Sequence, residues 1–390
     1  MPRFSHRFDS LDLGQGESPL ASTLTKLRQG GVDIIDLTVS NPTTAGLTWP
    51  HGALGRGLTH PDVLQYTPDA KGLHSAREAI AEYYGDRGWP VDPDNLILVS
   101  GTSEAYAYLF KLLCDARDAV LVPVPGYPLF DFIALLEDVE LHTYALRDPS
   151  WRIDFDALSA AITPNTKAIL SVQPNNPTGN VLTPDEARRL AERAREADCA
   201  VIVDEVFCDF CFEGTVYTPV TSPDGLVFTL NGLSKILGLP QMKLAWIRID
   251  GRADLVEAAR ERLEIIADTF LSPNTPVQLA APSWLRERRI IQEKIKGRLA
   301  TNLDIVRRVL ADHPTIHWDE PEGGWYVVLR FPSAIDDETL ALTFLEQACV
   351  HVHPGYMFGF DTGCVEVISL LTPEDQFEAG LDRIANFKLS

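Results

Sequence analysis

Between about residues 95 and 250 the sequence alternates short apolar runs, rich in β-branched residues, with polar or glycine-bearing turns and helix-like segments. In order, the runs are LILV, AVLVPV, AILSV, AVIV, LVFTL and LAWIRI. Short apolar strands that alternate with helices favour a mainly parallel sheet covered by helices on both faces. The pattern therefore predicts an α/β fold for the central part of the chain.

After residue 282 the pattern changes. Apolar residues recur at spacings of three and four between residues 283 and 312, which predicts a long helix. The runs GGWYVVLRF, VHVHPG and VEVISLL then predict strands with helices between them. We expect a large domain over residues 51–282 and a smaller α+β domain over residues 283–390, with residues 1–50 as an N-terminal arm that joins the small domain.

Charge and hydropathy exclude several classes of partner. The formal net charge is −21, and no block of five like charges occurs, so neither nucleic acid nor an anionic membrane is an expected partner. No apolar run reaches the roughly 18 residues of a membrane span, and the opening MPRFSHRFDS lacks the apolar core of a secretion signal. We therefore expect a cytoplasmic protein. Its 390 residues, 45% of them apolar, are enough for two domains.

The cysteines favour free thiols over disulfides or a metal site. Most of the six lie inside strand-like or helix-like runs, where a thiol packs as a small apolar group. Cys208 and Cys211 form one CxxC pair, but a zinc site would need a second pair of ligands. We expect no metal in this protein.

Polar or aromatic residues follow five of the predicted strands. Ligands of parallel sheets bind beyond the carboxyl ends of the strands, so these residues are candidates for a common site. They are Ser100-Gly101-Thr102-Ser103, Pro125-Gly126-Tyr127, Asn175-Asn176-Pro177, Asp204-Glu205 and Ser234-Lys235.

The first of these segments has the features of a phosphate site. Gly101, Thr102 and Ser103 directly precede the helix-like run EAYAYLFKLLCDA. The free backbone N–H groups and the dipole at a helix N-terminus attract anions, and a nearby lysine such as Lys243 would add positive charge. An ordinary helix cap is the alternative.

Two further strand ends carry opposite charges. Asp204 ends the apolar run AVIV, where a carboxylate needs a cationic or N–H partner. Lys235 lies in a largely apolar stretch, which disfavours the ammonium form, lowers the pKa and makes the amine a nucleophile. A plain Asp204–Lys235 salt bridge is the alternative, but it leaves the anion site and Tyr127 unexplained.

One ligand would use all of these groups: pyridoxal phosphate, whose aldehyde takes a lysine, whose ring nitrogen takes a carboxylate and whose phosphate takes the helix N-terminus. At this point the sequence also resembles a known family. The motifs GTSEAY, QPNNPTGN, VDEVF and LSKILGLP are similar, in order and spacing, to those of class I/II aminotransferases among the fold type I pyridoxal phosphate enzymes. The segments YTPDAKGLHSAREAIAEYY and PEGGWYVVL extend the resemblance over nearly the whole chain.

The resemblance implies roles for four residues around the cofactor ring. Lys235 would hold the cofactor as an internal aldimine and later carry a proton between the substrate Cα and the cofactor. Asp204 would keep the ring nitrogen protonated, Tyr127 would stack on the ring, and Asn176 would donate a hydrogen bond to the phenolic oxygen. An isolated tyrosine after a Pro-Gly turn is also compatible with simple packing.

The resemblance also implies a phosphate site and a dimer. Thr102 and Ser103, at the helix N-terminus that Gly101 precedes, would bind the phosphate together with Ser234 and Lys243. In family dimers the counterpart of Tyr66 reaches the phosphate of the neighbouring subunit. A homodimer with shared active sites is therefore implied.

Three positions depart from the family pattern. Lys243 stands where arginine is common, so the phosphate loses a bidentate contact. Phe207 stands where tyrosine is usual; loss of that hydroxyl should raise the pKa of the internal aldimine, because the ionised phenolic oxygen is less stabilised. Val367 stands where the family has the arginine that binds the substrate α-carboxylate.

Other groups are candidates for that carboxylate. Arg330 comes first because its charge is permanent, although a strand arginine that faces solvent is an equal alternative. Tyr356, His353, Lys71 and the backbone at Ser40-Asn41 are the remaining candidates.

These features predict an aminotransferase that moves an amino group from an amino acid or amine donor to a keto acid or aldehyde acceptor. Another pyridoxal phosphate reaction on the same scaffold, such as β-elimination, decarboxylation or an oxidative reaction, is the first alternative, because a fold does not determine a reaction. A non-catalytic cofactor-binding regulator is the second. It is disfavoured because both Lys235 and Asp204 are present and the chain has neither length nor basic charge for an added DNA-binding domain. The sequence does not identify the donor or the acceptor.

Overall fold

A computed structural model describes residues 5–8, 18–50, 52–332, 335–361 and 363–388. Residues 1–4 and 9–17 of the predicted N-terminal arm lie outside the described residues. The strands are β1 (Ile35–Asp36), β2 (Leu96–Val99), β3 (Ala119–Val124), β4 (Glu140–Arg147), β5 (Arg152–Ile153), β6 (Thr166–Val172), β7 (Ala200–Asp204), β8 (Leu226–Gly232), β9 (Ala245–Gly251), β10 (His317–Trp318), β11 (Tyr326–Phe331), β12 (Val350–His351), β13 (His353–Pro354) and β14 (Cys364–Ser369).

The helices connect these strands and cover the sheets. They are α1 (Pro19–Gln29), α2 (Ala53–Leu58), α3 (His74–Gly85), α4 (Thr102–Leu113), α5 (Leu129–Glu137), α6 (Phe155–Ala161), α7 (Pro184–Glu196), α8 (Leu233–Ile236), α9 (Ala253–Phe270), α10 (Thr275–Arg286), α11 (Arg289–Val309), α12 (Asp337–Thr343) and α13 (Glu374–Ala385). Short 3-10 turns lie at His6–Phe8, Pro61–Leu64, Pro93–Asn95, Cys208–Phe210, Pro240–Met242 and Gly355–Phe358, and a π-helical turn lies at Phe344–Ala348.

The large sheet contains eight strands in the order β2-β9-β8-β7-β6-β3-β4-β5. The central strands β8, β7, β6, β3 and β4 run parallel to one another, whereas β9 pairs antiparallel with β8 and with β2, and β5 pairs antiparallel with β4. The predicted, mainly parallel sheet is therefore confirmed. Every residue of β2 and β7 is buried, which explains why these strands are apolar throughout rather than alternating.

Local sequence signals set the start of the helices that cover this sheet. The helix α7 begins with a capping box: the Thr183 side chain accepts a hydrogen bond from the Glu186 backbone N–H, and the Glu186 side chain accepts one from the Thr183 backbone N–H. Pro184 occupies the first helical position. The loop before it carries the asparagines and prolines that follow β6. This cap therefore ends the loop at a defined point and places the polar residues beside the strand end.

The small domain is built on a four-stranded antiparallel sheet of order β10-β11-β14-β13. The N-terminal strand β1 pairs in parallel with β12, so residues near the start of the chain are part of the C-terminal fold. The predicted long helix is α11, which begins at Arg289 rather than near residue 283, because α10 ends at Arg286. The domain boundaries themselves remain a prediction.

The fold also bears on membrane spans, disulfides and metal binding. None of the helices in the described residues is long and apolar enough to cross a membrane. All six cysteines are free, and the described ranges hold no group of three or more His, Cys, Asp or Glu side chains placed to bind a metal ion.

Candidate active site

Three neighbouring strands of the large sheet end at a common cavity of about 200 Å³. Asp204 is the last residue of β7 and lies opposite Val172, the last residue of β6, in the parallel ladder. The next strand, β8, ends at Gly232 and leads directly into the short helix α8, which carries Lys235. The cavity is lined by Ser40, Thr102, Tyr127, Val172, Asn176, Asp204, Val206, Phe207, Gly232, Ser234, Lys235, Ala245 and Tyr326.

Asp204 is only 5% exposed, and both of its carboxylate oxygens are hydrogen-bonded. The Tyr106 hydroxyl donates to Oδ2 at 2.7 Å, and the Val206 backbone N–H donates to Oδ1 at 3.1 Å. Burial raises the pKa of Asp204 to about 6, whereas these two hydrogen bonds and the charge of Lys235 act to lower it. Asp204 is therefore an ionised carboxylate above about pH 6.

Lys235 lies beside two aromatic rings. Its Nζ atom is 4.9 Å from the centroid of the Trp325 ring and 5.6 Å from that of Phe207. Burial lowers the pKa of Lys235 to about 8, against the opposing attraction of Asp204. No ion pair joins Lys235 to Asp204, both of which are described, and each acts on the other only as a nearby charge, so the plain salt bridge does not account for them.

Asn176 presents an unsatisfied polar group. The residue is 6% exposed, and its Oδ1 is buried without a hydrogen-bond partner. The Oδ1 of the neighbouring Asn175 is also buried without a partner, although the Nδ2 of that residue donates to the Pro125 carbonyl at 3.1 Å and to the Thr178 hydroxyl at 2.7 Å. A buried amide oxygen without a partner is costly, and Asn176, unlike Asn175, lines the cavity, so that a ligand there can complete the hydrogen bonds of its amide.

The N-terminus of α4 opens toward the same cavity. Gly101 is the residue before the helix and provides no side-chain cap, and Thr102 lines the cavity. Ser234 lines it from the other side. Ser103 and Lys243 are exposed and do not line the cavity, and Lys243 has a left-handed backbone with φ 53°.

The aromatic residues of the site come from both domains. Tyr127 lines the cavity and packs edge-on against Phe130, with ring centroids 5.7 Å apart. Tyr326 of β11 lines it from the small domain together with Ser40, whose hydroxyl hydrogen-bonds the Tyr326 phenol and lowers its pKa against the larger effect of burial. In the run GGWYVVLRF, where Trp325 and Tyr326 follow a pair of glycines, no local pattern separates Tyr326 from an ordinary strand aromatic.

The structure places Arg330 outside this cavity. Its guanidinium binds Asp148 and, at 2.6 Å, Asp319, and it lies 4.9 Å from the Trp151 ring. These residues line or adjoin a separate cavity of about 430 Å³ between the domains. A guanidinium that already binds two carboxylates is not free to bind a substrate carboxylate at the Lys235 site.

The other candidates for carboxylate binding are also placed. Val367 is fully buried in β14, opposite Val328 and His353. Burial lowers the pKa of His353 to about 4, so that its imidazole is neutral at pH 7. Lys71 binds Asp94 at 2.9 Å, and Tyr356, whose backbone N–H donates to Asp337, does not line the cavity. Among the residues that line the cavity, Lys235 is the one cation.

Tyr66, predicted to act across a subunit interface, lies on the surface. It is 80% exposed and follows a 3-10 turn that ends at Leu64, which is 90% exposed. Neither residue lines the cavity of its own chain.

The residues around the cavity fit pyridoxal phosphate. A nucleophilic amine, a buried carboxylate and an uncapped helix N-terminus face one space, and the Asn176 side-chain amide lines the same space. Lys235, Asp204 and Thr102 would hold the aldehyde carbon, the ring nitrogen and the phosphate, respectively.

Comparisons with known proteins point in the same direction. A family model described as aminotransferase class I and II matches residues 32–384. The glutamate-pyruvate aminotransferase AlaA of Escherichia coli (strain K12) is 28% identical over 379 residues, which cover 95% of this chain and 94% of that protein. An alanine aminotransferase from Mycobacterium tuberculosis (strain ATCC 25618 / H37Rv) is 28% identical over 391 residues and covers 95% of this chain and 89% of its own length.

Solved structures show the same likeness. An aminotransferase from Escherichia coli superposes with a TM-score of 0.89 at 27% identity and covers 99% of this chain and 98% of its own. An alanine aminotransferase from Pyrococcus furiosus has a TM-score of 0.89 at 26% identity, with 98% of both chains covered.

Proposed function

The chain belongs to the class I and II aminotransferase family, whose members use pyridoxal phosphate, and from this premise we propose how its residues transfer an amino group between an amino acid and a keto acid. The observation that carries the proposal is the cavity of about 200 Å³ in which Lys235, Asp204, Asn176 and the N-terminus of α4 converge. Each of these groups matches one part of the cofactor.

Lys235 is proposed as the covalent anchor and the proton carrier. When bound, pyridoxal phosphate supplies an aldehyde carbon for the amine and a ring that withdraws electrons from the substrate Cα. A pKa of about 8 leaves a useful fraction of Lys235 as the neutral amine near pH 8. Its Nζ, once free, takes the proton that leaves Cα and returns it at the next step.

Asp204 is proposed to hold the proton on the ring nitrogen. Its carboxylate is ionised above about pH 6 and is kept in one orientation by the Tyr106 hydroxyl and the Val206 N–H. A fixed negative charge in a buried site acts more strongly than one in water. The positive charge that it stabilises lets the ring draw electrons from Cα.

The remaining residues are proposed to orient the cofactor. Asn176 would donate to the phenolic oxygen through its Nδ2, and Tyr127 would cover one face of the ring. Thr102 and Ser234 are the hydroxyl contacts to the phosphate. Ser103 and Lys243, which are exposed, add an N–H group and a charge from the solvent side.

The substrate side of the cavity is proposed to be Ser40 and Tyr326, which present hydroxyl groups to it. Relatives are named for glutamate, pyruvate and alanine, so these are the first donors and acceptors to test. Val367 favours a second class of donor, amines without an α-carboxylate, because the arginine fork is missing at that position.

The active enzyme is proposed to be a homodimer in which Tyr66 reaches the phosphate of the partner subunit. The exposure of Tyr66 and Leu64 supports this, since large apolar side chains at 80% and 90% exposure suit an interface. The test is to mix two inactive variants, Tyr66→Ala and Lys235→Ala. Mixed dimers would contain one intact site and regain activity, whereas a monomeric site would stay inactive after mixing.

The function is tested by visible spectroscopy of the protein loaded with pyridoxal phosphate. Adding alanine or glutamate should convert the visible band to that of the pyridoxamine form, and adding pyruvate should restore it. The Lys235→Ala variant should lack both the band and the turnover. Conversion by plain amines alone would assign the second donor class, and keto product without the pyridoxamine form would assign a lyase reaction instead.

A further inference from the structure

A buried tyrosine contacts the carboxylate that faces the cofactor site. Tyr106 lies on α4, is 1% exposed and donates its hydroxyl to Asp204 Oδ2 at 2.7 Å. The two residues are 98 positions apart in the sequence, so the contact exists only in the fold. Nothing in the run EAYAYLF distinguishes Tyr106 from an ordinary core aromatic.

The Tyr106 ring is held in place by other aromatic rings. Phe130 packs edge-on against it with centroids 5.2 Å apart, and Phe110 lies 6.4 Å away. Phe130 also packs edge-on against Tyr127, the predicted cover of the cofactor ring. The hydroxyl therefore has one direction available, which is toward Asp204.

The position of Tyr106 on its helix matters as much as the contact. Thr102 and Tyr106 are four residues apart on α4, so they lie on the same face and are separated by about one helical turn, roughly 6 Å along the axis. Thr102 lies at the N-terminus, which faces the cavity. One rigid helix thus carries both the anion site and the partner of Asp204.

We propose that Tyr106 is a positioning residue that keeps Asp204 ionised and fixed relative to the N-terminus of α4, so that one rigid unit binds both the phosphate and the ring nitrogen of the cofactor. The proposal rests on the proposed function, because it assigns pyridoxal phosphate to this cavity. It adds a residue that does not touch the cofactor and acts through Asp204.

The electrostatic surroundings of Asp204 agree with this role. Burial and the neighbouring Glu205 raise the pKa of Asp204, whereas Tyr106, the Val206 N–H and Lys235 lower it. Burial and Asp204 raise the pKa of Tyr106 well above its usual range, so the phenol stays a neutral donor at physiological pH. Removal of the hydroxyl therefore moves the pKa of Asp204 upward from about 6 and leaves less carboxylate at pH 7.

The first test is the Tyr106→Phe variant, which removes only the hydroxyl. The dissociation constant of pyridoxal phosphate is measured by quenching of tryptophan fluorescence between pH 5.5 and 9, without substrate. A hydrogen bond to a charged group corresponds to about one to two pKa units. We expect the pH below which affinity falls to rise by about one to two units and the affinity at pH 7 to fall by about 2- to 10-fold.

The matched control is Tyr144→Phe, which removes a buried phenol that donates to the Leu170 carbonyl at 2.8 Å rather than to Asp204. It should cost a similar amount of thermal stability and leave the pH profile of cofactor binding unchanged. An equal shift in both variants would show that loss of any buried hydroxyl produces the effect, and the proposal would fail.

The second test uses a cofactor analogue in which carbon replaces the ring nitrogen. This analogue offers no proton to Asp204, so Tyr106→Phe should bind it as tightly as the original protein does. An equal loss of affinity for the analogue and for pyridoxal phosphate would overturn the proposal. If the original protein binds neither compound, it is the proposed function that fails.

Discussion

Replacing Phe207 by tyrosine adds one hydroxyl to the wall of the active site. Phe207 lines the cavity and is 3% exposed. The centroid of its ring lies 5.6 Å from Lys235 Nζ and 5.3 Å from the centroid of the Trp325 ring. A cavity of about 200 Å³ has room for one oxygen atom, so the new hydroxyl need not disturb the packing. It can donate to the phenolic oxygen of the cofactor, as the tyrosine of related sequences is expected to do.

The size of the effect follows from the burial of the site. A hydrogen bond to a charged group is worth about 1.5–3 kcal/mol, which corresponds to roughly one to two pKa units. The new donor stabilises the ionised oxygen, so the proton on the cofactor–Lys235 linkage is lost more easily. The pH midpoint of the visible band should therefore fall by about one to two units.

The assay is a spectrophotometric pH titration of the loaded protein. Phe207→Met serves as the control, because it alters the ring without adding a donor and should not lower the midpoint. A midpoint that stays unchanged or rises in Phe207→Tyr would refute the reasoning and would mean that the para position of Phe207 does not face the phenolic oxygen.

Three other substitutions test the assignments of single residues. Asp204→Asn should keep the fold but slow single-turnover conversion by an amino acid about 10²–10³-fold, as loss of one electrostatic group typically does; an unchanged stopped-flow rate would remove Asp204 from the mechanism. Arg330→Met should lower the free energy of unfolding by only about 1 kcal/mol in a urea titration, because the ion pairs of Arg330 are partly exposed. It should leave KM unchanged, and a raised KM for amino acids alone would return Arg330 to the substrate site. Val367→Arg should lower KM for amino acids and not for amines, and equal KM values would indicate that another group already binds the carboxylate.

The sequence predicted the part of the site that depends on strand ends. Lys235, Asp204, Asn176 and Thr102 each follow a recognisable apolar run, and the carboxyl ends of parallel strands meet at one edge. That these residues converge can therefore be predicted from the fold class alone, without knowledge of the detailed packing.

The side chains that were missed or misplaced depend on long-range contacts. Tyr106 and Asp204 meet across 98 residues, and no local pattern marks that contact. Arg330 ranked first for the substrate carboxylate because of its charge, but a strand residue faces one of two sides, and Asp148, 182 residues away, binds it outside the cavity. Charge alone predicts that a partner exists and not which partner it is.

The pairing of β1 with β12 also affects how the chain is made. Asp36 and His351 are 315 residues apart, so at ordinary rates of synthesis Asp36 is synthesised roughly 15 to 60 s before its partner exists. During that interval Ile35 and Leu37, which are buried in the finished protein, have no C-terminal strand to cover them. A nascent or truncated chain that stops before residue 350 therefore exposes an apolar segment near its start, where chaperones and proteases can distinguish it from the complete protein.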